Sequence, residues 1–251
     1  MLLRPAPPGE AGPGRGFEVY LLLRKPTVAF APGAYVFPGG SVDQRDADED
    51  VAWAGPAVPE WADWLGTGPE LARALVCAAV RETFEESGVL LAGPAVSEIV
   101  ADTTGDDWEA DRQALLDRSV SLAELLARRG LILRSDLLRP WARWITPSVE
   151  PRRFDARFFA AALPPGQRTR DVGGEASAVQ WISPARAIEA GRAGEIELWL
   201  PTAMTLAELS DYSDADGVLA ASREITPRRP ELFVEDGEPR LSVPGDKEYP
   251  L

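Results

Sequence analysis

The chain has 251 residues, 45% hydrophobic and 26% charged, which suits a soluble globular protein built on one substantial core. Its 26 Lys and Arg against 40 Asp and Glu give a formal net charge of −14, which argues against nucleic-acid binding through a broad basic surface. Histidine is absent, so His-based triads, His-ligated zinc and imidazole bases are excluded, and acid–base chemistry falls to carboxylates, Lys, Tyr or metal-bound water.

Met1 to Gly16 is rich in Pro and Gly and lacks a signal-peptide core. No apolar run in the chain approaches the ~20 residues of a membrane span. A cytoplasmic protein without membrane contact is expected. Phe17 to Arg24 (FEVYLLLR) reads as a mostly buried strand. Ala34 to Phe37 reads as a short strand stopped by Pro38-Gly39-Gly40. Asp46 to Gly68 is acidic and carries Trp53, Trp61 and Trp64. Pro69 suits a first helical position, and Glu70 to Ser87 reads as the helix, with Gly88 as its left-handed stop. Cys77 falls within that helix and reads as core.

Asp106 to Arg129 reads as two helices, the second capped by Ser121 and closed by Gly130. Strands are expected at Arg153 to Leu163 and Ala176 to Ile182, with Ser183-Pro184 capping the next helix. Leu198 to Leu209 and Ala215 to Arg223 suggest two more helices, with Leu198-Trp199-Leu200 packing a terminal helix. Glu231 to Val243 resembles a hairpin around Asp236-Gly237. Trp141, Trp144 and Trp181 read as core. Strands alternating with helices, followed by a helical cluster, give an α/β layered fold.

The informative segment is Arg81-Glu82-Thr83-Phe84-Glu85-Glu86-Ser87-Gly88-Val89. Glu82, Glu85 and Glu86 stand at i, i+3 and i+4, so one turn of helix presents three carboxylates. Such like charges repel unless a cation joins them, and Mg²⁺ or Mn²⁺ prefers oxygen ligands while leaving positions for substrate phosphates. The competing reading is a solvated acidic face. Stepping back from Glu82 along one face reaches Ala78, Leu75 and Leu71, a stripe expected to point inward, which favours an acidic turn opening into a cleft.

Gly40, Asp46, Arg81-Glu82, Glu85-Glu86, Gly88 and Val89 resemble the Nudix box, G-x5-E-x7-R-E-U-x-E-E-x-G-U with U bulky and apolar, and Val36-Phe37-Pro38-Gly39-Gly40 resembles its usual lead-in. Three departures stand out. Asp46 replaces the first Glu, Thr83 replaces a bulky apolar residue, and 34 residues (47–80) stand where the pattern has seven, an excess of 27. An insertion here resembles the subgroup that includes the peroxisomal coenzyme A diphosphatases. The segment from Pro151 to Phe159, and Leu200-Pro201-Thr202 with Thr205-Leu206, resemble downstream segments of that subgroup. The chain ends Glu248-Tyr249-Pro250-Leu251, unlike a Ser-Lys-Leu peroxisomal tail.

The resemblance implies a Nudix α/β/α sandwich with a mixed central sheet, as a single domain over 1–251. The box insertion is placed at 47–69 and a C-terminal helical extension with a hairpin at 193–251. It implies hydrolysis, by metal-activated water, of a pyrophosphate bond in a small nucleoside diphosphate derivative. Coenzyme A or its acyl esters are favoured, with ADP-ribose, NADH or nucleotide sugars as alternatives and a non-catalytic nucleotide sensor as another. Glu85 and Glu86 become the principal metal ligands, with Glu82 a further ligand or the base. Arg81 pairs with Asp46, and Gly39 and Gly40 allow close backbone approach, positions where a Cβ would intrude. Many family members add an acid from a later loop, for which Glu175 is the first candidate and Asp171 the second. Arg24, Arg152, Arg153 and Arg157 are phosphate contacts or surface ion pairs. The inserted tryptophans either cover the site mouth or, the favoured reading, anchor the insertion. A homodimer is also implied.

Overall fold

The computed structural model describes residues 1–9, 12–28, 31–148, 152–170, 176–235 and 238–242, and only the backbone over 232–235 and 238–242. In chain order the first half comprises β1 (Leu2–Pro5), β2 (Phe17–Arg24), β3 (Ala34–Val36), a 3₁₀ turn (Gln44–Ala47), β4 (Trp53–Ala54), α1 (Val58–Leu65), α2 (Pro69–Ser87), β5 (Ala92–Gly93), α3 (Asp106–Leu116) and α4 (Leu122–Arg129). The second half comprises β6 (Ile132–Arg134), a second 3₁₀ turn (Ser135–Leu137), β7 (Arg139–Ile145), β8 (Asp155–Ala162), β9 (Ala176–Ile182), α5 (Pro184–Arg192), β10 (Glu197–Leu198), α6 (Leu200–Leu209), α7 (Ala215–Ala220), β11 (Pro227–Arg228), β12 (Glu231–Glu235) and β13 (Glu238–Ser242).

The main sheet runs β10-β3-β2-β1-β8-β7-β11, with β9 also pairing β2. It is mixed: β1–β8, β10–β3 and β11–β7 are parallel and the other pairs antiparallel. Alternation along β2 shows how it is buried. Tyr20 and Leu22 enter one core with α1, α2 and α4, whereas Phe17, Val19 and Leu21 enter a second core with α5, α6 and α7. Helices therefore cover both faces, the expected α/β/α sandwich with a mixed sheet. Among the described residues no helix is long and apolar enough to cross a membrane.

The inserted segment is held by two devices. Its strand β4 adds to β6 in a small three-stranded sheet, Trp53 opposite Leu133. Its helix α1 drives Trp61, 0% exposed, into the first core against Phe159, ring centroids 6.0 Å apart. Trp53 is half-buried and Trp64 is exposed, set edge-on to Trp61. Anchoring therefore describes Trp61.

Several sequence expectations need correction. Leu71 is 46% exposed and Leu75 only half-buried. The inward face of α2 instead runs through Ala72, Val76, Val80 and Phe84, a four-residue step that keeps one side of the helix on the core. Leu198 pairs with Tyr35 as a strand, so α6 begins at Leu200, after Trp199 as N-cap. Ser183 occupies the N-cap of α5, but its hydroxyl makes no cap bond and is buried without a partner. The helix expected over 215–223 stops at Ala220. The Pro/Gly-rich start contains β1, and the C-terminal extension contributes β10 and β11 to the main sheet as well as helices. The hairpin forms between β12 and β13, while its turn, Asp236-Gly237, lies outside the described residues.

Candidate active site

Helix α2 places the acidic turn. Its Pro69 start and its Gly88 stop, in the left-handed region at φ +75°, fix its length. Two side chains hold its last carbonyls: Arg112 from α3 donates to the Glu85 carbonyl (2.9 Å), and Thr103 Oγ1 donates to the Gly88 carbonyl (2.6 Å). At the box position that usually carries a bulky apolar residue, the Thr83 hydroxyl donates to the Ala79 carbonyl one turn back, which satisfies its polar atom inside the helix.

The acidic turn is organised around Arg81. Its Nε and Nη2 donate to the two carboxylate oxygens of Asp46, both at 2.9 Å, and Nη2 also donates to the Ser41 carbonyl. Nη1 donates to Glu82 Oε1 (2.8 Å) and to both oxygens of Glu85 (3.2 and 3.3 Å). Asp46 is 3% exposed and sits in the first 3₁₀ turn, where it also accepts from the Asp43 amide. The turn and the helix are thereby locked together across the whole insertion.

One guanidinium faces three carboxylates here, with Glu86 beside them. Burial pushes the Glu82 carboxyl above its usual range, partly offset by Arg81 and reinforced by Glu85. Burial does the same to Glu85, again against Arg81. Burial works against the charge on Arg81, but Asp46, Glu82 and Glu85 together raise its proton affinity.

The glycine loop roofs this turn. A Cβ on Gly40 would stand 2.4 Å from Glu82 Oε1, so any larger residue there would displace the Glu82 carboxylate. Gly39 differs from expectation: a Cβ there would meet open space, and its contribution is an amide that donates to Glu86 Oε2 at 2.6 Å. The carboxylates therefore lie under the loop and on the flank of the helix, rather than on its core-facing stripe.

Among the described residues no three of these groups already converge as a metal site, since Arg81 holds Glu82 and Glu85 while Gly39 holds Glu86. The donor chemistry nevertheless fits a hard divalent cation: oxygen ligands only, partly desolvated, with negative charge in excess of Arg81. Beside them opens a cavity of about 110 Å³, bounded by Arg81, Glu82 and Glu85, by Asp43 and Arg45 at the start of the 3₁₀ turn, and by Leu115, Leu116 and Arg118 where α3 ends. Asp43, Arg45 and Arg118 escaped the sequence reading, because only the fold brings their segments to the acidic turn.

Other expected contacts lie elsewhere. Arg24 is half-buried at the end of β2 and Arg153 is exposed, and neither borders the cavity. Arg157 pairs with Asp155, which also binds Arg143, and Arg152 stacks on Phe154. Glu175 and Asp171 lie outside the described residues. Cys77 is buried, and its thiol is pushed up to about 12 by desolvation.

Comparison with known proteins now adds to this geometry. Residues 66–209 match the family described as the NUDT19 Nudix domain, a stretch that holds the acidic turn but starts after Gly40 and Asp46. The human protein named acyl-coenzyme A diphosphatase NUDT19 is 31% identical over 78% of this chain, and the match spans 60% of that longer protein. Its chicken counterpart is 28% identical over the whole chain and 78% of its own length. The putative nudix hydrolase 7 of Caenorhabditis elegans is 28% identical over 92% of this chain and 70% of its own. The crystal structure of a NUDIX hydrolase from Alicyclobacillus acidocaldarius superposes with a TM-score of 0.73 and 26% identity, covering 89% of this chain and 94% of that one. A sandwich with an arginine-braced glutamate turn at the end of its box helix, matched over more than half its length by that family, makes this chain a member of the Nudix hydrolases of the NUDT19 type.

Proposed function

We propose that the chain is a pyrophosphohydrolase that cleaves the diphosphate bond of coenzyme A or an acyl-coenzyme A with the help of Mg²⁺ or Mn²⁺. The observation that carries this reading is the gathering of Asp46, Glu82 and Glu85, partly desolvated, on the single guanidinium of Arg81, with Glu86 on the same helical turn under the glycine loop. The names of the human and chicken relatives support the substrate class.

Glu85 and Glu86 would hold the metal, with Glu82 as a further ligand or as the base. When bound, the cation lowers the pKa of an attacking water and neutralises charge on the diphosphate oxygens. Glu82 suits the base role by position, since its carboxylate lines the cavity beside Glu85 and is held there by Arg81. Asp46 and Arg81 orient the glutamates, and Gly39 and Gly40 shape the loop over them. Glu175 is proposed as an additional ligand from the segment before β9, and Arg24 and Arg153 as more distant contacts for the substrate. A homodimer belongs to the same reading, and light scattering on the purified protein measures it.

The test is a substrate panel with Mg²⁺ and with Mn²⁺, products identified by mass. Coenzyme A should give adenosine 3′,5′-bisphosphate and 4′-phosphopantetheine faster than ADP-ribose, NADH or nucleotide sugars give their monophosphates. Faster cleavage of any of the latter would replace the substrate assignment, and no cleavage of any would remove the enzyme assignment.

A further inference from the structure

The cavity beside the acidic turn has a wall that the family motif does not supply. It is formed by the end of α3, where the chain turns back toward α4. Arg118 N donates to the Leu115 carbonyl and Ser119 N to the Ala114 carbonyl, a complete Schellman stop with Arg118 at the position that must be left-handed, φ +57°. The left-handed ends of α1, α2 and α4 carry Gly66, Gly88 and Gly130. An L-residue with a long side chain is disfavoured there, because its Cβ crowds the following carbonyl. The arginine is therefore not explained by the turn.

Nor do its contacts within the protein explain it. The side chain is 73% exposed and its guanidinium stands 4.0 Å from Asp43, beyond hydrogen-bond length. Asp43 already has a two-pronged partner in Arg45, through Nε and Nη2 at 3.1 Å each. Arg45 also donates to the Arg118 carbonyl at 3.0 Å, which ties the turn across the cavity and holds it in place. Arg118 lines the same cavity as Glu82 and Glu85, and its charge acts on the Glu85 carboxylate.

Resting on the hydrolase reading above, we propose that Arg118 binds a phosphoryl oxygen of the substrate's diphosphate from the α3–α4 turn, across the cavity from Glu82 and Glu85. A planar guanidinium on an exposed arm matches phosphate oxygens in a fork and keeps its charge at any working pH. Once a divalent cation occupies the carboxylates, the opposite side of the diphosphate still needs a cation, and on a chain of net charge −14 it must come from a placed side chain rather than from the general field.

The backbone supplies a discriminating variant, because glycine relieves the left-handed position while removing the guanidinium. Calorimetric titration with magnesium ADP should show at least about tenfold weaker binding by Arg118→Gly than by the unsubstituted protein, while its Tm is unchanged or higher. Arg118→Lys should fall between them. kcat/KM for coenzyme A and for dephospho-coenzyme A should drop by the same factor, since both carry the diphosphate. Wild-type affinity in Arg118→Gly, a Tm that falls with affinity, or failure of the unsubstituted protein to bind magnesium ADP would each overturn the proposal. A loss confined to coenzyme A would also overturn it, moving the contact to the 3′-phosphate. If the unsubstituted protein binds magnesium ADP yet cleaves no diphosphate, the hydrolase reading fails, while the affinity ratio still decides Arg118.

Discussion

Arg81 uses its whole fork. Nε and Nη2 serve Asp46 and the Ser41 carbonyl, while Nη1 serves Glu82 and Glu85. Removing it leaves buried Asp46 and Glu85 without their cation, and breaking a buried pair from one side costs about 3–5 kcal/mol. Urea denaturation of Arg81→Ala should show a loss of that order. Arg81→Lys should recover little of it, because a single ammonium cannot reach both carboxylates and the carbonyl at once. A loss below about 1 kcal/mol, as for an exposed pair, would remove Arg81 as the organising residue. This cluster was half legible in the sequence. The i, i+3, i+4 spacing of Glu82, Glu85 and Glu86 is visible in a short window, and the box pattern implied the partner of Arg81. Arg118 and Asp43 gave no signal, because an arginine at a helix stop and an aspartate before a turn acquire meaning only when the fold brings them together. The Cβ argument likewise held for Gly40 alone, since the value of Gly39 lies in where its amide points.

The inserted segment behaves as a bracket. The 3₁₀ turn that leads into it carries Asp46 to Arg81, its strand β4 joins β6, and its helix α1 sinks Trp61 into the first core. Phe/Trp to Ala in a closed core costs about 3–5 kcal/mol, so Trp61→Ala should lower stability by that amount in chemical denaturation. Trp64→Ala, on the exposed side of the same helix, should cost less than about 1 kcal/mol. Equal effects would mean that α1 is held by something other than Trp61. Elements with strong local signals were readable: β2 from its apolar run, α2 from Pro69 and Gly88, and α4 from Ser121 and Gly130. The two-residue strands β4, β5, β10 and β11 were not, because they are defined by partners distant in sequence. The inward face of α2 was misassigned for a related reason. Leu71 is apolar, but the side of the helix that meets the sheet is set by Ala72, Val76, Val80 and Phe84.

Taken whole, the molecule is a mixed sheet between two apolar cores, with its proposed catalytic turn at the end of one helix rather than inside either core. That placement would let a strongly acidic protein handle the proposed diphosphate substrate. The sandwich holds α2 rigid, the insertion braces its acidic turn, and a divalent cation would reverse the local charge where the diphosphate must lie. The account stands or falls on whether those glutamates bind the cation that the reaction needs. The deciding measurement is a paired Mn²⁺ titration and coenzyme A turnover assay on the unsubstituted protein and Glu85→Gln, with circular dichroism to verify the fold. The account predicts that the variant keeps its spectrum, loses most Mn²⁺ affinity and falls at least about a hundredfold in kcat. Turnover and Mn²⁺ binding close to the unsubstituted protein in a folded Glu85→Gln would contradict it.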